Sequence, residues 1–346
     1  MTGAAAGAHD APGRPGGTVL VLRAIGLGDA LTGVAALRGV RRAWPGRRVV
    51  LAAPAGLGRW LASYGLVDDV LPASGLEPLA WGAGTGRSET PEVAVNLHGR
   101  GPQSHRLLQA TRPGRLVAFA SPEAGHDGPA WDPAEHEVLR WCRLVRAAGG
   151  GCGPDDLRLG PLDPPGGRGP HVVVHPGAAS GSRRWPPGRW GRVAAALSAA
   201  GAEVVLTGGD AERELCARVR VEAERHGAGR LSDTSGRLDL PALADVVGTA
   251  RLLLSGDTGV AHLATALGTP SVTLFGPTPP AAWGPAVDLD RHTVLWHGDP
   301  AAPGDPHADE LDPALAEITV DEVLEAATLL GREPAAPVAA PGSVPS

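Results

Sequence analysis

Apolar residues in this chain fall into short runs that alternate with segments of helical spacing. The first run is Val19–Leu22, and residues 29–43 after it carry Ala30, Val34 and Leu37 at positions i, i+4 and i+7. Further strands are predicted at Val49–Ala53, Val70–Leu71, Val93–Leu97 and Leu116–Phe119. Short apolar runs separated by amphipathic helices are typical of a parallel sheet covered by helices on both faces.

A segment rich in proline and glycine, GPLDPPGGRGP at residues 160–170, interrupts this pattern. The alternation then restarts at His171–Val174 and ends in a predicted helix over Val320–Leu330. Two consecutive series of this kind predict an α/β protein with two doubly wound, parallel-sheet domains. The predicted division is a tail at 1–16, a first domain at 17–160, a linker at 161–170, a second domain at 171–319, a terminal helix at 320–332 and a tail at 333–346.

Composition and charge exclude several classes of protein. The formal net charge is −6, and all 31 basic residues are arginine, so nothing in the overall charge indicates a nucleic-acid partner. The three cysteines, Cys142, Cys152 and Cys216, have neither CxxC nor metal-ligand spacing, which favours a reducing compartment. No apolar run has the length of a transmembrane span or of a signal peptide. We therefore expect a cytoplasmic protein without a transmembrane segment, which leaves peripheral membrane contact open.

The first glycine turn, Gly26-Leu27-Gly28-Asp29, follows the first strand, where a dinucleotide loop would stand. The third glycine of that motif is missing, and the second strand ends at Pro54 without a carboxylate for a ribose. The turn therefore disfavours a nicotinamide cofactor. Asp29 is either a helix N-cap, which its position alone favours, or a carboxylate at the floor of a cleft that accepts a proton.

The second half contains a better anion site, because a strand delivers Asp257-Thr258-Gly259 to the start of a helix. Backbone N–H groups in the first turn of a helix suit a diphosphate. Asp257 cannot share the position of an anion, so we expect it to accept hydrogen bonds from sugar hydroxyls. His262, one turn into the helix, is either a packing residue or a ligand.

Two further loops in this half have features of an anion or sugar site. A small-residue loop after the strand at His171–Val174 leads to Arg183 and Arg184, whose charges suit phosphate. The alternative is that both arginines are merely solvated. Glu212, in the stretch TGGDAE after another strand, is placed to hold ribose hydroxyls, although a glutamate in a first helical turn is also ordinary helix chemistry.

These stretches together resemble glycosyltransferase family 9, the heptosyltransferase family, over residues 18–330. The motifs that carry the resemblance are LVLRAIGLGDALTGVAALRGVRRAWPG, VNLHGRGPQS, HPGAASGSRRWPPGRW, LTGGDAE and GDTGVAHLATALGTPSVTLFGPT. The resemblance implies a GT-B architecture, with two facing Rossmann-like domains that bind the acceptor in the first domain and the nucleotide-sugar donor in the second. It also implies an inverting transfer with no metal and no cofactor, and a terminal helix at 320–332 that packs back on the first domain.

The resemblance also implies roles for individual residues. Asp29 would be the catalytic base, although the family's small polar residues before it are replaced here. Arg183 stands where the family usually has lysine, and Asn96 where it often has aspartate. The implied site consists of Asp29 as catalytic base; Arg183, Arg184, Thr258 and Gly259 at the donor diphosphate; Asp257, Glu212 and His262 at the donor sugar and ribose; and Gly28, His98 and Arg100 on the acceptor side.

The function predicted from the sequence is transfer of heptose or a related sugar from a nucleoside diphosphate, expected to be ADP. The acceptor would be a hydroxyl of an envelope glycan, a lipid-linked glycan or a small molecule. Two alternatives share the fold: a nucleotide-sugar isomerase, and a nucleotide-sugar-binding protein without catalysis.

Overall fold

The computed structural model describes residues 17–82 and 90–330. The predicted tails, residues 83–89, and residues 331–332 of the predicted terminal helix lie outside the described residues. The chain forms two compact units, Met1–Asp156 and Leu157–Ser346, so the predicted linker is grouped with the second unit. Arg168 shows why, because its guanidinium donates to the carbonyl oxygens of Leu162, Gly248 and Gly268 within that unit.

The first unit contains a parallel sheet with the strand order β3-β2-β1-β4-β5. Its strands are β1 (Thr18–Leu22), β2 (Arg48–Ala53), β3 (Asp69–Pro72), β4 (Val93–Asn96) and β5 (Arg115–Val117). Its helices are α1 (Leu27–Thr32), α2 (Val34–Ala43), α3 (Ala55–Ser63), α4 (Gln103–Gln109) and α5 (Glu137–Ala147). Strands β1 and β4 lie side by side although two strands separate them in the chain, and this crossover defines the switch point of the sheet.

The second unit contains a parallel sheet with the order β11-β10-β9-β6-β7-β8. Its strands are β6 (His171–His175), β7 (Glu203–Leu206), β8 (Leu231–Asp233), β9 (Leu252–Gly256), β10 (Ser271–Leu274) and β11 (His292–Leu295). Its helices are α6 (Pro187–Ala199), α7 (Arg213–Arg225), α8 (Leu240–Gly248), α9 (Gly259–Leu267), α10 (Pro280–Trp283), α11 (Pro313–Glu317) and α12 (Val320–Leu330). Both units are therefore doubly wound Rossmann-like sheets, which confirms the predicted fold class.

Each sheet is stabilised by its own buried apolar core. In the first unit the side chains of Leu20, Leu22 and Val50 are fully buried. In the second unit, Trp185 and Trp190 pack edge to face with ring centroids 4.9 Å apart. Both rings belong to the buried cluster that includes the strand residues of the sheet. Complete burial of side chains of this size contributes about 1.5–3 kcal/mol each.

The terminal helix α12 buries its apolar face in the core of the second unit. Val323, Ala326 and Ala327 belong to that core, and the indole N–H of Trp185 donates to the carbonyl oxygen of Ile318 just before the helix. The structure thus groups α12 with the second unit, whereas the resemblance to the family had suggested that it packs on the first.

Two local features differ from the sequence prediction. The helix predicted over residues 29–43 begins at Leu27 and is divided at Gly33 into α1 and α2. A Cβ atom on Gly33 would lie 2.8 Å from Cδ and Nε of Arg23, so the absence of a side chain makes room for that arginine. The short edge strands β8 and β11 were not predicted, because LSD and HTVL do not form strongly apolar runs.

Candidate functional site

Except for Glu212, which follows β7, the predicted site residues follow strands at the two switch points, between β1 and β4 in the first unit and between β6 and β9 in the second. The two neighbours at a switch point send their connections to opposite faces of the sheet, which opens a crevice at the carboxyl ends of the strands. Asp29 and His98 follow β1 and β4, while Arg183 and Asp257 follow β6 and β9.

Asp29 is the third residue of α1 and is half-buried. The N-cap of this helix is Gly26 in an extended conformation, so the interpretation of Asp29 as the N-cap is wrong. The main-chain oxygen of Asp29 accepts hydrogen bonds from Arg23 Nε at 2.5 Å and from the Thr32 hydroxyl at 2.8 Å. These bonds fix the turn that carries the carboxylate.

His98 is held in one tautomer by the backbone at the end of β1. The Ala24 N–H donates to His98 Nδ1 at 3.2 Å, and the His98 N–H donates to Asn96 Oδ1 at 3.0 Å. Because Nδ1 accepts, the neutral ring carries its proton on Nε2. Burial and the nearby Arg23 lower the pKa of His98, which keeps the ring neutral. His98 therefore offers a hydrogen-bond donor. Of the other acceptor-side residues, Gly28 is half-buried and Arg100 is exposed.

Asn96 organises the loop after β4 from a fully buried position. Its amide nitrogen donates to Ser104 Oγ at 2.9 Å and to His105 Nδ1 at 3.0 Å. The other ring nitrogen of His105, Nε2, then donates to the carbonyl oxygen of Phe119 at 2.8 Å. A carboxylate has no hydrogen to donate to Nδ1, so asparagine at this position determines the tautomer of the buried His105.

In the second unit, Arg183 and Asp257 lie together at the carboxyl end of β9. Arg183 Nη1 is 3.4 Å from the carbonyl oxygen of Asp257 and 3.8 Å from its Oδ2. Arg183 Nε donates to Ser180 Oγ at 3.3 Å, which directs the guanidinium along the loop after β6. Asp257 is buried and Arg183 is half-buried. The structure thus combines a cation and a carboxylate at one edge of the sheet.

Arg184 is oriented differently from its neighbour. Its side chain is exposed, and its Nε donates to the carbonyl oxygen of Ala178 at 2.9 Å. The structure therefore brings Arg183, but not Arg184, to Asp257. A diphosphate role for Arg184 stays a prediction.

Helix α9 begins beside this pair, with Thr258 as its N-cap and Gly259 as its first residue. Thr258 is extended, and its side chain makes no cap hydrogen bond to the helix. Both residues are half-buried. His262, one turn further on, packs edge to face on Trp283 with ring centroids 6.1 Å apart. That contact supports the packing interpretation of His262, and its role as a ligand stays a prediction.

Glu212 lies at the carboxyl end of β6 and is held there by several groups. The Gly209 N–H donates to Glu212 Oε2 at 2.8 Å, and His175 Nε2 lies 3.9 Å from the same oxygen. The carboxylate fills the space that a side chain on Gly177 would need. His175 is buried, its Nδ1 hydrogen-bonds Thr207 Oγ1 at 3.0 Å, and burial lowers its pKa. The position of the Glu212 carboxylate is thus fixed by Gly209 and His175 before any ligand binds.

Two residues of these sites were missed from the sequence. His175 could have been found as the polar residue that ends an apolar strand. Arg23 stands in the same position at the end of β1, but a single arginine beside a glycine turn gives no sign that it is buried.

Among residues 17–82 and 90–330, the structure has no group of three or more His, Cys, Asp or Glu side chains placed to hold a metal ion. No described helix is long and apolar enough to cross a membrane.

Comparison with known proteins shows which family the second unit of the chain is similar to. The model for glycosyltransferase family 9 (heptosyltransferase) matches residues 158–305. Lipopolysaccharide heptosyltransferase 1 of Pseudomonas aeruginosa is 34% identical over 141 residues, 39% of this chain and 36% of that protein. Lipopolysaccharide heptosyltransferase 3 of Escherichia coli is 32% identical over 129 residues, 37% of each chain. The chain thus aligns with little more than a third of the length of these curated relatives.

Solved structures extend the likeness to nearly the whole fold. ADP-heptose LPS heptosyltransferase II of E. coli superposes with a TM-score of 0.70 at 18% identity, covering 91% of this chain and 98% of that one. An E. coli heptosyltransferase solved with ADP gives a TM-score of 0.66 at 20% identity and covers 90% and 99% of the two chains. The chain therefore has the GT-B fold of these enzymes.

Proposed function

From the match of residues 158–305 to the model for glycosyltransferase family 9, we propose that this protein is an inverting glycosyltransferase that transfers a sugar without a metal ion or cofactor. The donor is an ADP-linked heptose or related sugar, and the acceptor is a hydroxyl of a cell-envelope glycan. The observation that carries the proposal is the Arg183–Asp257 pair at the start of α9, which lies inside the matched segment. The choice of ADP is supported by the similar heptosyltransferase that was solved with ADP. The choice of an envelope glycan is supported by the relative that is named a lipopolysaccharide heptosyltransferase.

The donor half of the site combines the groups that a sugar diphosphate requires. Arg183 and the N–H groups in the first turn of α9 offset the negative charge of the diphosphate. Asp257 accepts hydrogen bonds from sugar hydroxyls. Glu212, held by Gly209, accepts hydrogen bonds from the ribose. A guanidinium replaces the family's usual ammonium at Arg183, and its planar fork adds directional hydrogen bonds to the charge.

The transfer step is a single in-line displacement. Asp29 takes the proton of the acceptor hydroxyl as that oxygen forms a bond to the anomeric carbon. The bond from the anomeric carbon to the diphosphate oxygen breaks on the opposite face, and the electron pair leaves with the nucleoside diphosphate. The growing charge on the leaving group is stabilised by Arg183 and the start of α9. Attack from the opposite face inverts the anomeric configuration.

The hydrogen bonds of His98 support the choice of Asp29 as base. The Nδ1 lone pair of His98 accepts a hydrogen bond from the Ala24 N–H, and Nε2 of the neutral ring carries a hydrogen. Neither ring nitrogen of neutral His98 is therefore available to take a proton from the acceptor. The Nε2–H of His98 instead donates to an acceptor oxygen.

The experiment that tests this proposal is a screen of the full chain against ADP-, GDP-, UDP- and TDP-sugars, first by thermal shift and then by nucleotide release. Release of ADP that depends on an added acceptor hydroxyl is the expected result. Conversion of the donor sugar without an acceptor would favour the isomerase. Binding without release or conversion would favour a nucleotide-sugar-binding protein without catalysis.

A further inference from the structure

A buried arginine that the proposed mechanism does not use lies directly below the proposed base. Arg23 follows β1 and is only 1% exposed, so it cannot contact a substrate. Its guanidinium donates from Nε to the Asp29 carbonyl at 2.5 Å, from Nη1 to the Leu97 carbonyl, and from Nη2 to the Thr32 hydroxyl at 2.8 Å. One planar group thus ties the turn of Asp29 to the residue before His98.

The charge of Arg23 is balanced inside the unit by Glu137. Glu137 Oε1 lies 3.5 Å from Arg23 Nη2 and accepts the indole N–H of Trp141 at 2.6 Å. Its Oε2 accepts a hydrogen bond from Arg140, and the Trp141 ring lies 4.8 Å below the Arg23 guanidinium. The charged or titratable groups around Arg23 are therefore Asp29 on α1, His98 after β4, and Glu137 and Arg140 on α5.

We propose that Arg23 is the positioning residue of the acceptor half of the site, and that Glu137 neutralises it so that the buried charge does not weaken Asp29 as a base. This inference rests on the proposed function of Asp29. Bonds to two carbonyls fix the relative position of the Asp29 and His98 backbones, which an apolar side chain at this position could not do. An uncompensated cation at the same place would favour the ionised carboxylate and lower its affinity for a proton.

The first test replaces Arg23 by lysine, which keeps the charge but loses the planar fork. We expect kcat to fall roughly 10- to 100-fold in R23K, because small displacements of a reacting group cost about that much. The KM for the donor should not change, since the donor groups are in the second unit. The matched control is R143K, because Arg143 pairs with Glu135 at 2.8 Å in the same unit but is half-exposed. Full kcat in R23K would overturn the positioning role.

Gly33→Ala perturbs the same contact without changing a charge. The new Cβ would lie 2.8 Å from Cδ and Nε of Arg23, while the backbone at Gly33 has a φ of −85° that alanine adopts readily. We expect the same selective loss of kcat in G33A. If R23K is too unstable to assay, a G33A variant with full kcat would overturn the positioning role.

The second test concerns charge and compares Glu137→Gln with Glu135→Gln. In E137Q the charge of Arg23 is no longer balanced, so it should lower the pKa of the Asp29 carboxyl. The acidic limb of the plot of kcat/KM against pH should then move to lower pH, whereas E135Q should leave that limb unchanged. The titration of the Asp29 carboxyl, followed by ¹³C NMR with D29N for assignment, should shift in the same direction. This readout needs no turnover, so it separates failure of the inference from failure of the proposed function. Equal midpoints of the Asp29 titration in E137Q and E135Q would overturn the neutralising role of Glu137.

Discussion

Arg183 Nη1 lies 3.8 Å from Asp257 Oδ2 and 3.4 Å from the Asp257 carbonyl oxygen, although the two residues are 74 positions apart in the chain. The pair forms because β6 and β9 are neighbours in the sheet and both end at this edge. Since Asp257 is buried and Arg183 is half-buried, the pair is only partly screened by water. It therefore places a cation and a carboxylate together at the edge of the second sheet, as the proposed donor site requires.

Removal of the Arg183 charge should weaken donor binding and transfer together. We expect R183A to lower kcat/KM for the donor by roughly 10²-fold, the usual cost of losing one group that stabilises developing charge. The matched control is R184A, because Arg184 is exposed and donates to Ala178. Calorimetric titration with ADP and steady-state kinetics measure both effects. Equal losses in the two variants would contradict the assignment of Arg183 to the phosphate site.

Substitution of the proposed base should greatly reduce turnover but leave donor binding intact. Asparagine at position 29 has nearly the shape of aspartate but cannot take up the acceptor proton, so we expect D29N to lose turnover by roughly 10²–10⁴-fold. The thermal shift produced by ADP should match that of the wild type. Undiminished turnover would mean that another group is the base.

Glu212 should determine the preference for a ribonucleotide. Loss of a hydrogen bond to a charged acceptor costs about 1.5–3 kcal/mol, so we expect E212Q to lose most of a preference for ADP over its 2′-deoxy form. The matched control is D210N, since the Asp210 side chain is 85% exposed and pairs with Arg213. Competitive binding of the two nucleotides measures the ratio. An unchanged preference in E212Q would contradict the ribose role.

Buried histidines should make the protein less stable in mild acid. Burial lowers the pKa of His292 to about 4, and it also lowers the pKa values of His98, His105 and His175. Below pH 6.5 the unfolded chain binds protons that the folded chain does not, so the free energy of unfolding falls as the pH falls toward 4. His292 alone contributes a slope of at most about 1.4 kcal/mol per pH unit.

The measurement is the free energy of unfolding at several pH values, compared between wild type and H292N. Asparagine retains a partner for Ser271 Oγ, which lies 2.8 Å from His292 Nδ1, but does not titrate. Between pH 6.5 and pH 4, the free energy of unfolding of H292N should depend less steeply on pH than that of the wild type. H226N, at the exposed end of α7, is the control for the exchange of histidine for asparagine itself. Equal slopes in wild type and H292N would contradict the prediction.

The strands and helices of both sheets were largely predictable because they depend on local patterns. Val19–Leu22 was expected as a strand and forms most of β1, and the helix expected over Val320–Leu330 is α12. Both edge strands of the second sheet were missed, since an edge strand is half-exposed and its sequence does not need to be apolar. The division at Gly33 was missed for a different reason: its cause is the side chain of Arg23, which the helical pattern does not include.

Residue types and their spacing were enough to predict two doubly wound sheets and the strand ends at which polar groups gather, because buried apolar runs and glycine turns are encoded locally. The grouping of those residues depends on the order of strands in each sheet, which brings Arg183 to Asp257 and His175 to Glu212. Burial of a charge is also a property of the assembled chain. Arg23 reads as an ordinary basic residue in the sequence, but the folded first unit encloses it beside Glu137 and beneath Asp29 because sheet and helices surround that position on every side.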